Sequence, residues 1–376
     1  MKIAYFVHDL DDAAVRKRCR MLKAAGADLT VIGFRRGETA PATVDGAQAV
    51  DLGRTADAKL AQRCLSVLRN MLQMGRLAPF VRDADVIMAR NLEVLLLARG
   101  VRALIAPRAG LVYECLDIHR MMLGNGAASK TLRGLERMLL GSVRRLIVSS
   151  PAFLAAYFVP RQGFDGPTLL LENKLLRLNG SALASPPVRS PVDGPWRIGW
   201  FGVIRCQKSL DMLCALAEAS AGRLEVVIRG RPARHEFRDF DAQVAATPEV
   251  RFEGAYTPDD LPRCYGEVHF AWAIDYFEEG QNSTWLLPNR LYEAGAHGVP
   301  PIALADVETG HWLAARGVGL LIGDPVLELG AILKALDAPG YEALRAGIAA
   351  IPVDAFVAGE DECRRLVAAL GEQACA

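Results

Sequence analysis

The sequence predicts an α/β protein of two domains, each a parallel sheet covered by helices on both faces. Three observations carry that expectation. The chain has 376 residues, 51% of them apolar, which is too many for one typical core and enough for two. Short β-branched runs, apolar on both faces, alternate with longer stretches of helical period, the pattern of strands buried inside a parallel sheet. That alternation breaks once, at a proline-rich stretch, and then starts again.

The first series of strands is expected at 3–7, 29–32, 86–89, 111–115 and 146–149. Segments such as 12–25 and 131–142 carry apolar residues at helical spacing between them. Residues 179–195 contain Ser-Pro-Pro, Ser-Pro and Asp-Gly-Pro, turn-forming pairs that suit an interdomain linker. The second series follows at 197–201, 224–228, 250–252, 268–272, 300–304 and 319–322. Two Rossmann-like halves joined in this way leave a cleft at the carboxyl ends of their strands, where open α/β sheets bind ligands. The expected boundaries are a first domain at 1–178, the linker at 179–195, a second domain at 196–350 and a C-terminal helical segment at 351–376.

Several function classes lose ground on the same evidence. A dinucleotide-binding turn needs G-x-G-x-x-G after its first strand, but here the turn reads His8-Asp9-Leu10-Asp11-Asp12. Its acidic side chains would repel a diphosphate, so NAD or FAD is not expected, and no G-x-x-x-x-G-K-[ST] supports a P-loop nucleotidase. The eight cysteines are scattered without a CxxC pair or a Cys/His cluster, so reduced thiols and no zinc are expected. With no run of roughly 20 apolar residues and no cleavable signal pattern, a cytoplasmic protein is expected. The net charge of +1 conceals an asymmetry: residues 1–190 hold 28 Lys+Arg against 16 Asp+Glu, and 191–376 hold 16 against 27. Either the first half meets an anionic partner, a lipid surface or nucleic acid, or the surplus is simply solvated arginine.

The strongest local signal is Leu287-Pro288-Asn289-Arg290-Leu291-Tyr292-Glu293, continued by Ala294-Gly295-Ala296-His297-Gly298-Val299-Pro300. Pro288 can open a helix and Gly298 can close it, which sets Arg290 in the first turn and Glu293 one turn later. A cation beside unpaired amides at a helix N-terminus suits a diphosphate, and the carboxylate could accept from both ribose hydroxyls. Spacing alone fits an i,i+3 surface ion pair equally well. The segment resembles the P-x-K/R-L-x-E-x-x-A-x-G-x-P stretch of GT-B glycosyltransferases, family 4 and its relatives. A second match, Gly199-Trp200-Phe201-Gly202 continuing to Arg205, Lys208, Ser209 and Leu210, is similar to the G-x-F-G-x-x-x-x-x-K-G-L stretch opening that family's donor domain.

What the resemblance implies is a GT-B enzyme, two Rossmann-like domains with parallel sheets facing across an interdomain cleft. Its donor site would comprise Asn289 and Gly202, which would end the first strand of the second domain, with Arg205, Lys208 and Arg290 toward the phosphates and Glu293 on the ribose. Four further stretches, 5–10, 113–119, 148–153 and 171–173, resemble the succinoglycan-type, ExoL-like exopolysaccharide glycosyltransferases. One departure is that the family's E-x7-E is absent: Trp285 stands eight residues before Glu293, and the acidic-polar loop 278–284 fills that region. Donor sugar and stereochemical outcome therefore do not carry over.

Asp117, at the carboxyl edge of the 111–115 strand, is the first candidate for a base that takes the acceptor's proton, with Glu114, His119, Asp9 and Asp11 behind it. Its alternative role is a helix cap. Two basic stretches with leucine and methionine faces, 58–82 and 119–146, suit either an anionic membrane surface or packing on the sheet. With the charge asymmetry, they favour the membrane over packing on the sheet, and no nucleic-acid partner is expected. The expected protein is thus a peripheral enzyme at the inner face of the cytoplasmic membrane. It would move a hexose, glucose from a UDP donor by resemblance, to a lipid-linked oligosaccharide without a metal ion. A nucleotide-sugar epimerase of the same architecture and a non-catalytic glycan-binding subunit are the alternatives.

Overall fold

A computed structural model of the chain describes residues 1–55, 60–178 and 194–372. These fall into two compact units: 1–172, 176–178 and 358–372 form one, and 173–175 with 194–357 form the other. The expected linker lies outside the described residues except for Gly194 and Pro195, as does Lys59 of the first basic stretch.

In the first unit the strands are β1 (Lys2–Val7), β2 (Asp28–Arg35), β3 (Thr43–Val44), β4 (Ala47–Arg54), β5 (Val86–Arg90), β6 (Gly110–Cys115), β7 (Arg145–Val148) and β8 (Thr168–Leu170). They form one sheet in the order β3-β4-β2-β1-β5-β6-β7-β8, parallel throughout except for the short β3–β4 hairpin. The central strands β1, β5 and β6 are almost wholly buried, and apart from Lys2, Arg90 and Glu114 they are apolar on both faces. One face is filled by Ile3, Tyr5, Val7 and Val31 packing against Val15, Cys19 and Leu22 of the Ala13–Ala24 helix. The chain places β2 on one side of β1 and β5 on the other, so the sheet has its topological switch point at β1/β5.

The second unit repeats the scheme. Its strands are β10 (Trp196–Ile204), β11 (Leu224–Pro232), β12 (Val250–Phe252), β13 (Phe270–Trp272), β14 (Pro301–Leu304) and β15 (Leu320–Ile322). Their order, β12-β11-β10-β13-β14-β15, is parallel throughout. Ile198, Trp200, Val226 and Trp272 pack with Leu210 and Leu213 of the Gln207–Ala219 helix. The switch point lies between β10 and β13. A two-stranded ribbon pairs β9 (Leu175–Leu176) with β16 (Val357–Ala358).

One expectation about the fold needs correction. Gly202 does not end its strand, for β10 continues to Ile204. Gly202 (φ 114°) instead faces Gly230 (φ 136°) across the β10–β11 pairing, and a Cβ on Gly230 would run into the Gly202 carbonyl. Only glycine tolerates both that backbone and that approach. The expected C-terminal helical segment, 351–376, is helical in its second half and holds a short strand before it. It contains β16 and the Glu360–Gly371 helix, whose Cys363, Leu366 and Leu370 complete the core of the first unit.

Candidate active site

In the second unit, β10 leads through Arg205 into the Gln207–Ala219 helix, whose second residue is Lys208. Across the switch point, β13 leads into the loop 273–281, and the Asn289–Ala296 helix follows, with Pro288 as its N-cap and Gly298 (φ 68°) just beyond its end. Two helix N-termini and three cations therefore gather at the carboxyl edge of one sheet, an arrangement suited to a diphosphate. Arg290 is buried; its Nη2 donates to the Ile274 carbonyl (3.2 Å) and lies 3.6 Å from Asp275. Its Nε finds no hydrogen-bond partner among the described residues. The Lys208 ammonium contacts both Glu279 oxygens (2.7 and 2.8 Å) and sits 4.2 Å from the Tyr276 ring centroid. Arg205 lies over Phe277 at 4.5 Å. All three cations thus meet the loop 273–281, and Lys208, through Glu279, reaches the 278–284 stretch that stands where the family has its first glutamate.

Glu293 lies one turn on from Arg290 in the same helix. It turns to Tyr265, whose hydroxyl donates to it at 3.1 Å, and Tyr256 also bonds to it. Burial, with the Glu293 carboxylate beside them, pushes both phenols up from their ordinary range, so they remain donors. His297 stacks on Tyr265 with centroids 5.4 Å apart and planes 8° from parallel. Its Nδ1 meets the Glu293 carbonyl at 2.7 Å, closing the helix. Asn289 is exposed and its amide oxygen accepts from Asn173.

In the first unit, Asp117 and His119 are exposed just beyond β6, on the rim of a cavity of about 330 Å³. The Cys115 thiol donates to the Asp117 carbonyl (3.1 Å), and His119 Nδ1 accepts from the Met121 amide (3.2 Å). A neutral imidazole in that contact carries its proton on Nε2. Asn91 on the same rim has φ 74°, ψ 156°, a region that costs a non-glycine residue of order 1–3 kcal/mol and concentrates at functional sites.

Glu114 is a correction. Strand side chains alternate, so Tyr113 and Cys115 face the cavity while Glu114 points to the other side of the sheet. It is 0% exposed and accepts from Arg18 (2.6 Å), Arg90 (2.8 Å) and Tyr5 (2.5 Å). Burial pushes its carboxyl up, but the two guanidiniums outweigh that and bring it to about 2. It is a structural anion with no room for an acceptor hydroxyl. Asp9 is likewise buried and paired with Arg36 at 3.1 Å, while Asp11 is exposed.

Four of the five arginines in the second basic stretch are also engaged. Arg133 donates to the Met122 and Gly124 carbonyls, Arg137 to the Arg161 carbonyl, Arg144 to the Leu370 carbonyl, and Arg145 pairs with Glu372. Sequence reading missed Tyr256, Tyr265 and Asn91. Asn91 alone offered a signal, lying where a strand passes directly into a helix.

No family model matches the chain. It is 46% identical over 372 residues, 98% of this chain and 92% of the relative, to the succinoglycan biosynthesis protein ExoL of Rhizobium meliloti (strain 1021). Among solved structures it is similar to sucrose-phosphate synthase of Thermosynechococcus elongatus (TM-score 0.73, 15% identity, 98% of each chain). It is also similar to Anabaena HepE in complex with UDP (TM-score 0.74, 14% identity, 98% of each chain). The sequence identity and the shared architecture place the chain in the ExoL family of succinoglycan biosynthesis proteins, with the GT-B glycosyltransferase fold.

Proposed function

We propose that this glycosyltransferase moves a hexose, glucose from UDP-glucose, onto a lipid-linked oligosaccharide during exopolysaccharide assembly. The observation that carries the reading is the gathering of Arg205, Lys208 and Arg290 with two helix N-termini around the switch point of the second sheet, one turn from Glu293. In this reading the cations and amides hold the diphosphate as the bond from sugar C1 to phosphate oxygen breaks. Glu293 accepts from the ribose, and Asp117 takes the proton of the acceptor hydroxyl as its oxygen bonds to C1. The relative's role in succinoglycan biosynthesis and the solved HepE complexes with UDP and with UDP-glucose support the choice of donor. No metal is required, so a chelator leaves turnover unchanged.

The charge surplus of residues 1–190 supports peripheral attachment to an anionic membrane face at the cytoplasmic side. Sedimentation with anionic vesicles should then weaken with salt, as the Debye length falls from about 10 Å at 0.1 M to about 3 Å at 1 M. No sedimentation at low salt would remove the membrane from the account.

The donor is tested by a thermal-shift panel of nucleoside diphosphates, since a bound ligand raises stability by RT ln(1 + [L]/Kd). UDP should stabilise the chain above ADP and GDP. Arg290→Ala should reduce the response to UDP more than the response to UMP, because only the diphosphate reaches the helix N-terminus. Equal shifts from all bases would contradict UDP as the donor nucleotide.

A further inference from the structure

Asn91 stands where β5 passes straight into the Leu92–Leu104 helix, as that helix's N-cap. Asparagine is a preferred N-cap because the position is extended and the side-chain oxygen accepts from a free amide of the first turn. Neither condition holds here. The backbone sits at φ 74°, ψ 156°, and the side chain makes no cap hydrogen bond. Asparagine also tolerates left-handed helical backbone, but there ψ is about 30–60°. At ψ 156° the backbone is in a region that is essentially glycine's alone. The turn calls for glycine and the chain has asparagine. Its side chain is thus held against a standing backbone cost, as residues that meet a ligand often are.

The surroundings of Asn91 identify that ligand. Its backbone N–H donates to the Glu114 carbonyl (3.2 Å), one step beyond the pairing of Arg90 with Glu114 between β5 and β6. Asn91 therefore follows one strand as Asp117 and His119 follow its neighbour, and all three line the same cavity of about 330 Å³. The charged lining residues, Glu93, Asp117 and Glu136, are all carboxylates, which disfavours an anionic occupant. Glu136 is buried and bonded to Tyr113 (3.0 Å) and to Tyr157 and Gln162 (both 2.6 Å), so polar recognition falls to the rim. A carboxamide presents two N–H donors and an oxygen acceptor from one planar group, which suits the adjacent hydroxyls of an uncharged sugar.

We propose that Asn91 is a specificity-determining residue for the acceptor: its carboxamide holds the hydroxyl next to the one that Asp117 deprotonates. The role rests on the transfer reaction proposed above and deepens it. Holding the neighbouring hydroxyl fixes which oxygen lies against Asp117, and no bond of the reaction forms or breaks at Asn91.

Two substitutions in the full chain separate backbone from amide. Asn91→Gly removes the strain and the carboxamide together, whereas Asn91→Ala removes the carboxamide and keeps a Cβ on the strained backbone. Thermal midpoints are measured without ligand, and the shift caused by UDP on the same proteins. Transfer is followed from radiolabelled UDP-glucose to a solvent extract of lipids from an exopolysaccharide-producing bacterium, with the amount of extract varied. Asn91→Gly should raise the midpoint by about 2–4 °C, and Asn91→Ala should not raise it. Both should keep the wild-type shift with UDP. Both should lose transfer at limiting extract by about tenfold, the effect of one to two hydrogen bonds, despite their different stabilities. A residue with only a structural role would let transfer follow stability.

Wild-type transfer by either variant would overturn the acceptor role, as would a midpoint that does not rise in Asn91→Gly. Slower transfer with the UDP shift reduced to match would assign the effect to the donor and overturn the role as well. A wild-type chain that binds UDP but puts no label into the extract would sink the proposed function and this role with it. Wild-type transfer that both variants equal would sink the role alone.

Discussion

At the scale of single residues the two carboxylates of greatest interest make opposite demands. Glu293 is held between two tyrosines, so Glu293→Ala should weaken UDP binding by about 1–3 kcal/mol, the range for hydrogen bonds to a charged group, with the fold intact. Calorimetric titration checks it; unchanged affinity would remove the ribose role. Asp117 is exposed and needs only reach to the acceptor. Asp117→Asn should therefore keep donor affinity and lose about 10²–10⁴-fold in turnover. Near-normal turnover with normal stability would reduce Asp117 to a turn or cap, where Asn is an equal substitute. Arg290 and Glu293 were legible because one short segment carries both and its proline and glycine mark the helix ends. Tyr256 and Tyr265 were not, since they reach Glu293 only through packing of elements about 30 residues away in sequence. Glu114 was legible in principle: the two-residue period of a strand sets it opposite Tyr113 and Cys115, and proximity to Asp117 in sequence obscured that.

Among the elements, the buried cluster around Glu114 ties β6 to β1 through Tyr5, to β5 through Arg90 and to the Ala13–Ala24 helix through Arg18. Removing the anion takes from Arg18 its carboxylate partner and leaves Arg90 with Asp12 alone, at 3.4 Å, so Glu114→Gln should cost about 3–5 kcal/mol. The pH dependence has a definite sign. The folded carboxyl titrates at about 2, below the roughly 4.3 of an unfolded glutamate. Its contribution is therefore complete above about pH 4.3 and is lost as pH falls toward 2. Denaturant titrations of both proteins across that range should converge on acidification; a difference independent of pH would mean that the substitution acts by packing alone. Central strands were legible from their apolar runs. The outer strands β3, β4 and β8 were not, because half-exposed strands such as Ala47–Arg54 mix Gln, Asp and Gly among their apolar residues, and pairing with a neighbour, rather than composition, makes them strands.

For the whole molecule, two sheets, two switch points and the helix N-termini at the second of them follow from the repeated strand-helix rhythm on either side of residues 179–195. The return of the Glu360–Gly371 helix to the first unit did not follow, because its apolar spacing says that one face is buried and not against what. The charge surplus belongs to the first unit, and the gathering of Arg205, Lys208 and Arg290 at a sheet's carboxyl edge to the second. A glycosyltransferase with that division of labour makes one product that neither alternative makes. The direct measurement is incubation of the purified chain with radiolabelled UDP-glucose and membranes from an exopolysaccharide-producing bacterium in which the chain's own counterpart has been deleted. Label should enter the lipid-extractable glycan with the wild-type chain and not with Asp117→Asn. Label that remains in soluble nucleotide sugar, altered or not, while the wild-type chain binds UDP, would contradict the account.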